Sequence, residues 1–143
     1  MILARLLLPL LLPLSGCVVL PIPLGEGHIS AGREVSQKSQ GMLLVGATSR
    51  AEALERLGEP SAVWDDAGVV VYDWDRVRWR LLWVVGGRGG GAFGATDLPA
   101  HHMLLLQFDA SGILQRAEHA ERPPGVTYGA FLRNWAATGN QAP

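Results

Sequence analysis

Cys17 is the single cysteine in a chain of 143 residues, and it closes the run Leu14-Ser15-Gly16-Cys17 inside LLPLSGCVVL. One thiol forms no intramolecular disulfide, so its chemistry is that of a nucleophile, a metal ligand or an attachment point. Gly89, Gly91 and Gly94 have the spacing Gly-x-Gly-x-x-Gly, and Asp109 lies twenty residues beyond Gly89, as a dinucleotide fingerprint would have it. Only eight residues, Pro99 among them, separate Gly94 from Met103. A parallel crossover needs a dozen or more, so no helix N-terminus is available to face a pyrophosphate, and no nucleotide is expected. His101-His102 offers two imidazoles, but neighbours on a strand point to opposite faces, and no nearby carboxylate cluster completes a first shell. Ser49 and Ser111 have structural uses as cap and turn residues, leaving no catalytic set, so the expectation is a protein that is not an enzyme.

The elements around the cysteine read as an address. Met1 and Arg5 precede an apolar run, Leu6 to Leu14, broken by Pro9 and Pro13 and followed by the small pair Ser15-Gly16. This is the layout of a secretory signal over residues 1–16. The tetrad Leu14, Ser15, Gly16 and Cys17 resembles the lipobox of bacterial lipoproteins. The resemblance implies a diacylglyceryl thioether on Cys17, cleavage after Gly16 and acylation of the new amino group. It makes membrane lipid a partner and leaves the covalent lipid as the one non-protein group, with no cofactor and no metal. Val18 in place of an aspartate resembles the pattern sorted to the outer membrane, which implies a lipid-anchored position on its periplasmic face. Two other readings remain. Leu6 to Leu24 is nineteen residues without a charge, long enough to span a bilayer as a helix, although four prolines interrupt it. The thiol could also be structural or reactive.

Composition excludes another class. Twelve Lys and Arg against thirteen Asp and Glu give a net charge of −1, no electrostatic footprint for nucleic acid. Residues 17–45 carry Pro21, Pro23, four glycines up to Gly41 and several serines, with little apolar surface, and are read as a lipidated N-terminus and flexible tether.

The domain is placed at residues 46–121. Ser49 and Glu52 have capping-box spacing, Ala53, Leu54 and Leu57 share a side, Gly58 can cap and Pro60 stops the turn, so a short helix starts at Arg50. SAVWDDAGVVVYDW then reads as a hairpin turning at Asp65 to Gly68, with Val70, Tyr72 and Trp74 on one face. DRVRWRLLWVV continues the alternation. One strand from Val69 to Val85 would run to about 56 Å at ~3.3 Å per residue, so a turn is expected near Trp74 to Arg76. A long loop through Gly86 to Gly94 follows, and MLLLQFDASGILQRAEHA makes a second hairpin with Leu104, Leu106 and Phe108 on one face. Gly46, Ser49, Ala53, Leu57, Gly58 and Pro60, joined to a lipobox, a tether and the Phe108-Asp109-x-x-Gly112 turn, resemble the SmpA/OmlA (BamE)-like domain of outer-membrane lipoproteins. That resemblance implies a non-catalytic module acting in outer-membrane protein assembly or envelope integrity, with β-barrel assembly proteins as partners. A periplasmic ligand carrier or inhibitor, or a hydrolase with an unseen site, is the alternative.

Residues 122–143 close the chain with a helix from about Tyr128 to Ala137 that sets Phe131, Leu132 and Trp135 at helical spacing and is expected to dock on the sheet. Of five tryptophans, Trp79 and Trp83 are assigned to the core. Trp64, Trp74 and Trp135, with Phe93 in the glycine-rich loop, are the candidate partner contacts. The resulting expectation is an α+β fold: a short N-terminal helix packed on a three- to four-stranded antiparallel sheet, with a C-terminal helix.

Overall fold

Four consecutive residues, Val69 to Tyr72, are all buried, and so are Met103 to Leu106 on the strand beside them. Alternating side chains on a strand cannot all be buried unless both faces of the sheet are covered. The computed structural model, which describes residues 16–139, shows the covers. The strands are β1 (Cys17–Gly32), β2 (Ala62–Trp64), β3 (Val69–Gly87), β4 (Gly90–Phe108) and β5 (Leu114–Arg122). The helices are α1 (Gln37–Gly41), α2 (Arg50–Leu57) and α3 (Tyr128–Gly139). One face of the sheet packs Val70, Tyr72, Trp74, Leu104, Leu106, Phe108 and Leu114 against Ala53 and Leu57 of α2, with Val35 and Leu43. The other packs Val69, Val71, Met103 and Leu105 against Leu132 and Trp135 of α3.

All pairings in the five-stranded sheet are antiparallel, in the order β1-β3-β4-β5, with β2 on the same edge of β3 as β1. Ser49 adds an isolated bridge to Ile113 beyond β5, and Gly46 N donates to Leu114 O at 2.7 Å. Strands hold 54% of the structure and helices 23%, which overturns the expected short helix on a three- to four-stranded sheet. The sheet is the fold, and the helices are its covers.

Three local expectations are corrected. Residues 17–32 are a strand, not a tether: β1 pairs with β3 from Cys17↔Val85 to Gly32↔Trp74. Pro21 and Pro23 are tolerated because β1 is an edge, where a missing N–H costs no ladder bond. Gly27 and Gly32, at φ +71° and +73°, let β1 pass so close to the backbone of β3 that a Cβ on either would collide with it. Secondly, β3 does not turn near Trp74. It runs unbroken for nineteen residues with one irregularity between Val77 and Trp79, and Arg76 pairs with Glu34 while Asp75 meets His101. The limit on strand length assumed that everything stays inside one compact body. Here the distal halves of β3 and β4, flanked by β1, project past the helices as a three-stranded ribbon. Thirdly, the glycine-rich segment is no long loop: β3 and β4 are joined by the two-residue turn Arg88-Gly89, and the glycines around it are paired.

Around the helices the chain is closely tied. Ser49 Oγ accepts from Glu52 N at 3.2 Å and caps α2, while the Glu52 carboxylate reaches forward to Arg56 rather than back to the Ser49 amide. Tyr72 Oη donates to Gly58 O at 2.8 Å and holds the end of α2 against β3. The β2–β3 turn rests on Gly68, at φ +63°, where an added Cβ would lie 2.5 Å from Phe108 O and where Gly68 O accepts from Phe108 N at 2.8 Å. Gly68→Ala is therefore expected to lower unfolding stability by about 2 kcal/mol, read from urea denaturation, because the left-handed conformation and the close approach are penalised together.

Candidate functional site: an exposed cysteine on an apolar ribbon

Cys17 is exposed, and its register partner Val85 stands three residues before the Arg88-Gly89 turn. The cysteine thus lies near the tip of the ribbon, far from the helices. Leu14 and Ser15 lie outside the described residues, and Gly16 is exposed.

Register sorts the ribbon side chains into two faces. Val18↔Val84↔Phe93, Leu20↔Leu82↔Ala95 and Ile22↔Arg80↔Asp97 form one; Cys17↔Val85↔Ala92, Val19↔Trp83↔Gly94 and Pro21↔Leu81↔Thr96 form the other. On the first face Val18, Leu20, Ile22, Leu82, Val84 and Phe93 are all exposed, Phe93 by 85%. On the second face Val19 and Val85 are exposed as well, while Trp83 lies over Gly94 so closely that a Cβ there would strike the indole. Trp83 and Leu81 are accordingly half-buried. At the root of the ribbon Arg80 grips Asp97 through Nε at 2.6 Å and Nη2 at 3.0 Å, which holds the Asp97 carboxyl below its usual range.

The aromatic candidates separate. Phe93 is the most exposed large apolar side chain of the described residues. Trp74, 2% exposed, and Trp135, 6% exposed, are core residues and are corrected as partner contacts: Trp74 belongs to the α2 face and Trp135 to the α3 face. Trp64 is half-buried against the α3 side. Trp79, assigned to the core from sequence, is 47% exposed at the root of the ribbon.

The remaining polar candidates have local duties. Gly89 is in the turn and Gly91 and Gly94 are in β4, so the glycine spacing builds a hairpin and no phosphate cradle. Asp109 Oδ1 accepts from Ser111 Oγ at 2.6 Å, Ser111 N at 2.9 Å and Ile113 N at 3.0 Å, bonds led by that hydroxyl that draw its carboxyl below the usual range. His101 Nδ1 meets the Asp75 carboxylate, and His102 turns inward, stacking on Trp74 at 5.9 Å and facing His119 at 5.3 Å. Among the described residues no three His, Cys, Asp or Glu side chains gather to hold a metal ion.

Burial lowers the His102 pKa, as do His119, Arg78 and Arg76, while Glu121 opposes them. A histidine whose folded pKa is depressed takes up its proton more readily when unfolded. Stability is therefore full above the unfolded value of about 6.5 and declines as pH falls from there toward the folded pKa. Urea midpoints measured across this range are expected to fall in the native protein and to flatten in His102→Phe.

No family model, curated protein or solved structure matches the chain. Sequence reasoning missed that the distal strands are exposed on both sides. Their signal was the apolar run Leu81 to Val85 continuing straight into glycines, with no residue that would break the ladder.

Proposed function

We propose that the protein is a lipid-anchored lipoprotein of the bacterial envelope, held on the periplasmic face of the outer membrane, and that it works as a non-catalytic protein-interaction module in outer-membrane assembly or envelope integrity. The observation that carries this is Cys17, exposed at the first residue of β1 and directly preceded by Leu14-Ser15-Gly16. An attachment point must be free of the packed body and joined to it, and Cys17 is both. Buried methylenes contribute about 0.8 kcal/mol each, so several acyl chains on one residue hold a protein where a single myristoyl chain would not. Confinement at the surface then raises the effective concentration of the helical body toward membrane-bound partners, the gain that an SmpA/OmlA-like role would use.

The test is mass spectrometry of the N-terminal peptide from native membranes. The expected peptide begins at Cys17 and carries acyl mass; an unmodified thiol with Met1 still attached overturns the anchor. Co-purification with β-barrel assembly proteins from detergent-solubilised membranes tests the second half of the proposal, and their absence from the purified material counts against it.

A further inference from the structure

The geometry points to a second membrane contact: the distal ribbon lies in the lipid headgroup and upper acyl region, seated on the face that carries Val18, Leu20, Leu82, Val84 and Phe93. This inference rests on the proposed anchor for its location and on the ribbon itself for its chemistry.

Cys17 to Leu24, Leu81 to Gly87 and Gly90 to Thr96 contain no charged side chain at all. Charges resume only at the two ends, with Arg88 in the turn and with Arg78, Arg80 and Asp97 at the root. At ~3.3 Å per residue the charge-free length is about 23 Å. A patch of this kind, apolar along its length and polar at its limits, is more than scattered surface leucines and calls for an occupant.

Lipid is the occupant that fits. Cys17 is the first residue of the edge strand β1 at the ribbon tip; its side chain leaves on the face of Val19 and Val85, and acyl chains on it would round that free edge to hold the tip at the bilayer. Arg88 at one end and Arg78 at the other can both reach phosphates if the ribbon lies along the surface. Insertion tip-first would instead bury Arg88 and leave the outer edges of β1 and β4 without hydrogen-bond partners in hydrocarbon, where no water can satisfy them. Lying flat keeps those edges at the wet boundary. The opposite face is apolar at its surface too, with Val19 and Val85 exposed beside the half-buried Trp83.

The experiment places an environment-sensitive nitrobenzoxadiazole label on Phe93→Cys in the purified full chain, reconstituted into vesicles of phosphatidylethanolamine and phosphatidylglycerol. Acylation consumes the Cys17 thiol, so the new cysteine is the labelled one, and the intact mass is read first. The expected result is blue-shifted emission, quenched by lipids with a doxyl group on the acyl chain and protected from aqueous iodide. Ala110→Cys, on the exposed turn at the far end of the body, should show the reverse. Emission at Phe93→Cys that matches the Ala110→Cys control overturns the inference. So does a blue shift that ignores doxyl lipid and disappears on lowering the protein-to-lipid ratio, which would mean that a second copy of the chain covers the ribbon. Missing acyl mass sinks the anchor without touching the ribbon, and doxyl-insensitive label on an acylated protein sinks the ribbon alone.

Discussion

Cys17→Ser is expected to abolish attachment to the outer membrane. The hydroxyl cannot form the thioether, the processed N-terminal peptide should not appear, and the outer-membrane fraction should lose the protein by orders of magnitude. The size of that effect follows from the acyl chains: if each methylene contributes about 0.8 kcal/mol, no set of protein contacts of ordinary size makes up for removing them all. The ribbon face alone gives shallow, reversible association. Fractionation of envelopes on a density gradient, with immunodetection of the chain at its processed and unprocessed lengths, checks this. Serine at position 17 would not disturb an uncleaved span over residues 6–24, but residues 17–24 of that stretch belong to β1. Normal retention of the serine variant at native length would overturn the anchor.

Trp135→Ala is expected to cost about 3–5 kcal/mol of unfolding stability, the range for deleting a buried aromatic side chain. Trp135 is 6% exposed between α3 and the sheet, its Nε1 donates to Glu118 at 2.7 Å, and the Arg116 guanidinium lies 4.1 Å over its ring. Burial pushes the Glu118 pKa up, but the bonds from Trp135 and Arg116 outweigh it and leave it below its usual value. Removing the indole takes away packing, a charge-assisted bond and a cation–π contact together. Trp135→Phe keeps the packing and should lose less than half as much. Urea unfolding followed by far-ultraviolet circular dichroism measures both. A loss under about 1 kcal/mol for the alanine variant would mean that α3 is not held on the sheet as described and would return Trp135 to the surface contacts.

The places where sequence reading worked share a physical basis. Ser49, Gly58 and Pro60 bound a helix by rules that act within a few residues, and α2 runs from Arg50 to Leu57. Asp65 to Gly68 and Asp109 to Gly112 make the hairpin turns because the positive φ of Gly68 and Gly112, and the Asp109 carboxylate accepting from Ser111 N, are local requirements too. Register beyond those turns is not local. Pro21, Pro23, Gly27 and Gly32 carry the composition of a linker, and only the presence of β3 alongside turns them into a bulged edge strand. The runs Val69 to Tyr72 and Met103 to Leu106 did hold the information that both sheet faces are covered, but alternation was read through them as though one face were wet. The site divides similarly. The exposure of Cys17 and of Phe93 was legible from their neighbours in sequence. Trp74 and Trp135 were misplaced because an aromatic residue type does not say which side of a strand or helix it occupies.

β1 begins at the cysteine itself and runs antiparallel along β3, its first residue beside the ribbon tip and its last beside Trp74. A pull between the bilayer and anything gripping the helical end acts along this strand, at right angles to its interstrand hydrogen bonds. Those bonds are loaded in shear, all at once, instead of being unzipped one by one. With the proposed anchor on Cys17, β1 would act as a tension-bearing strut, transmitting force with no slack to take up.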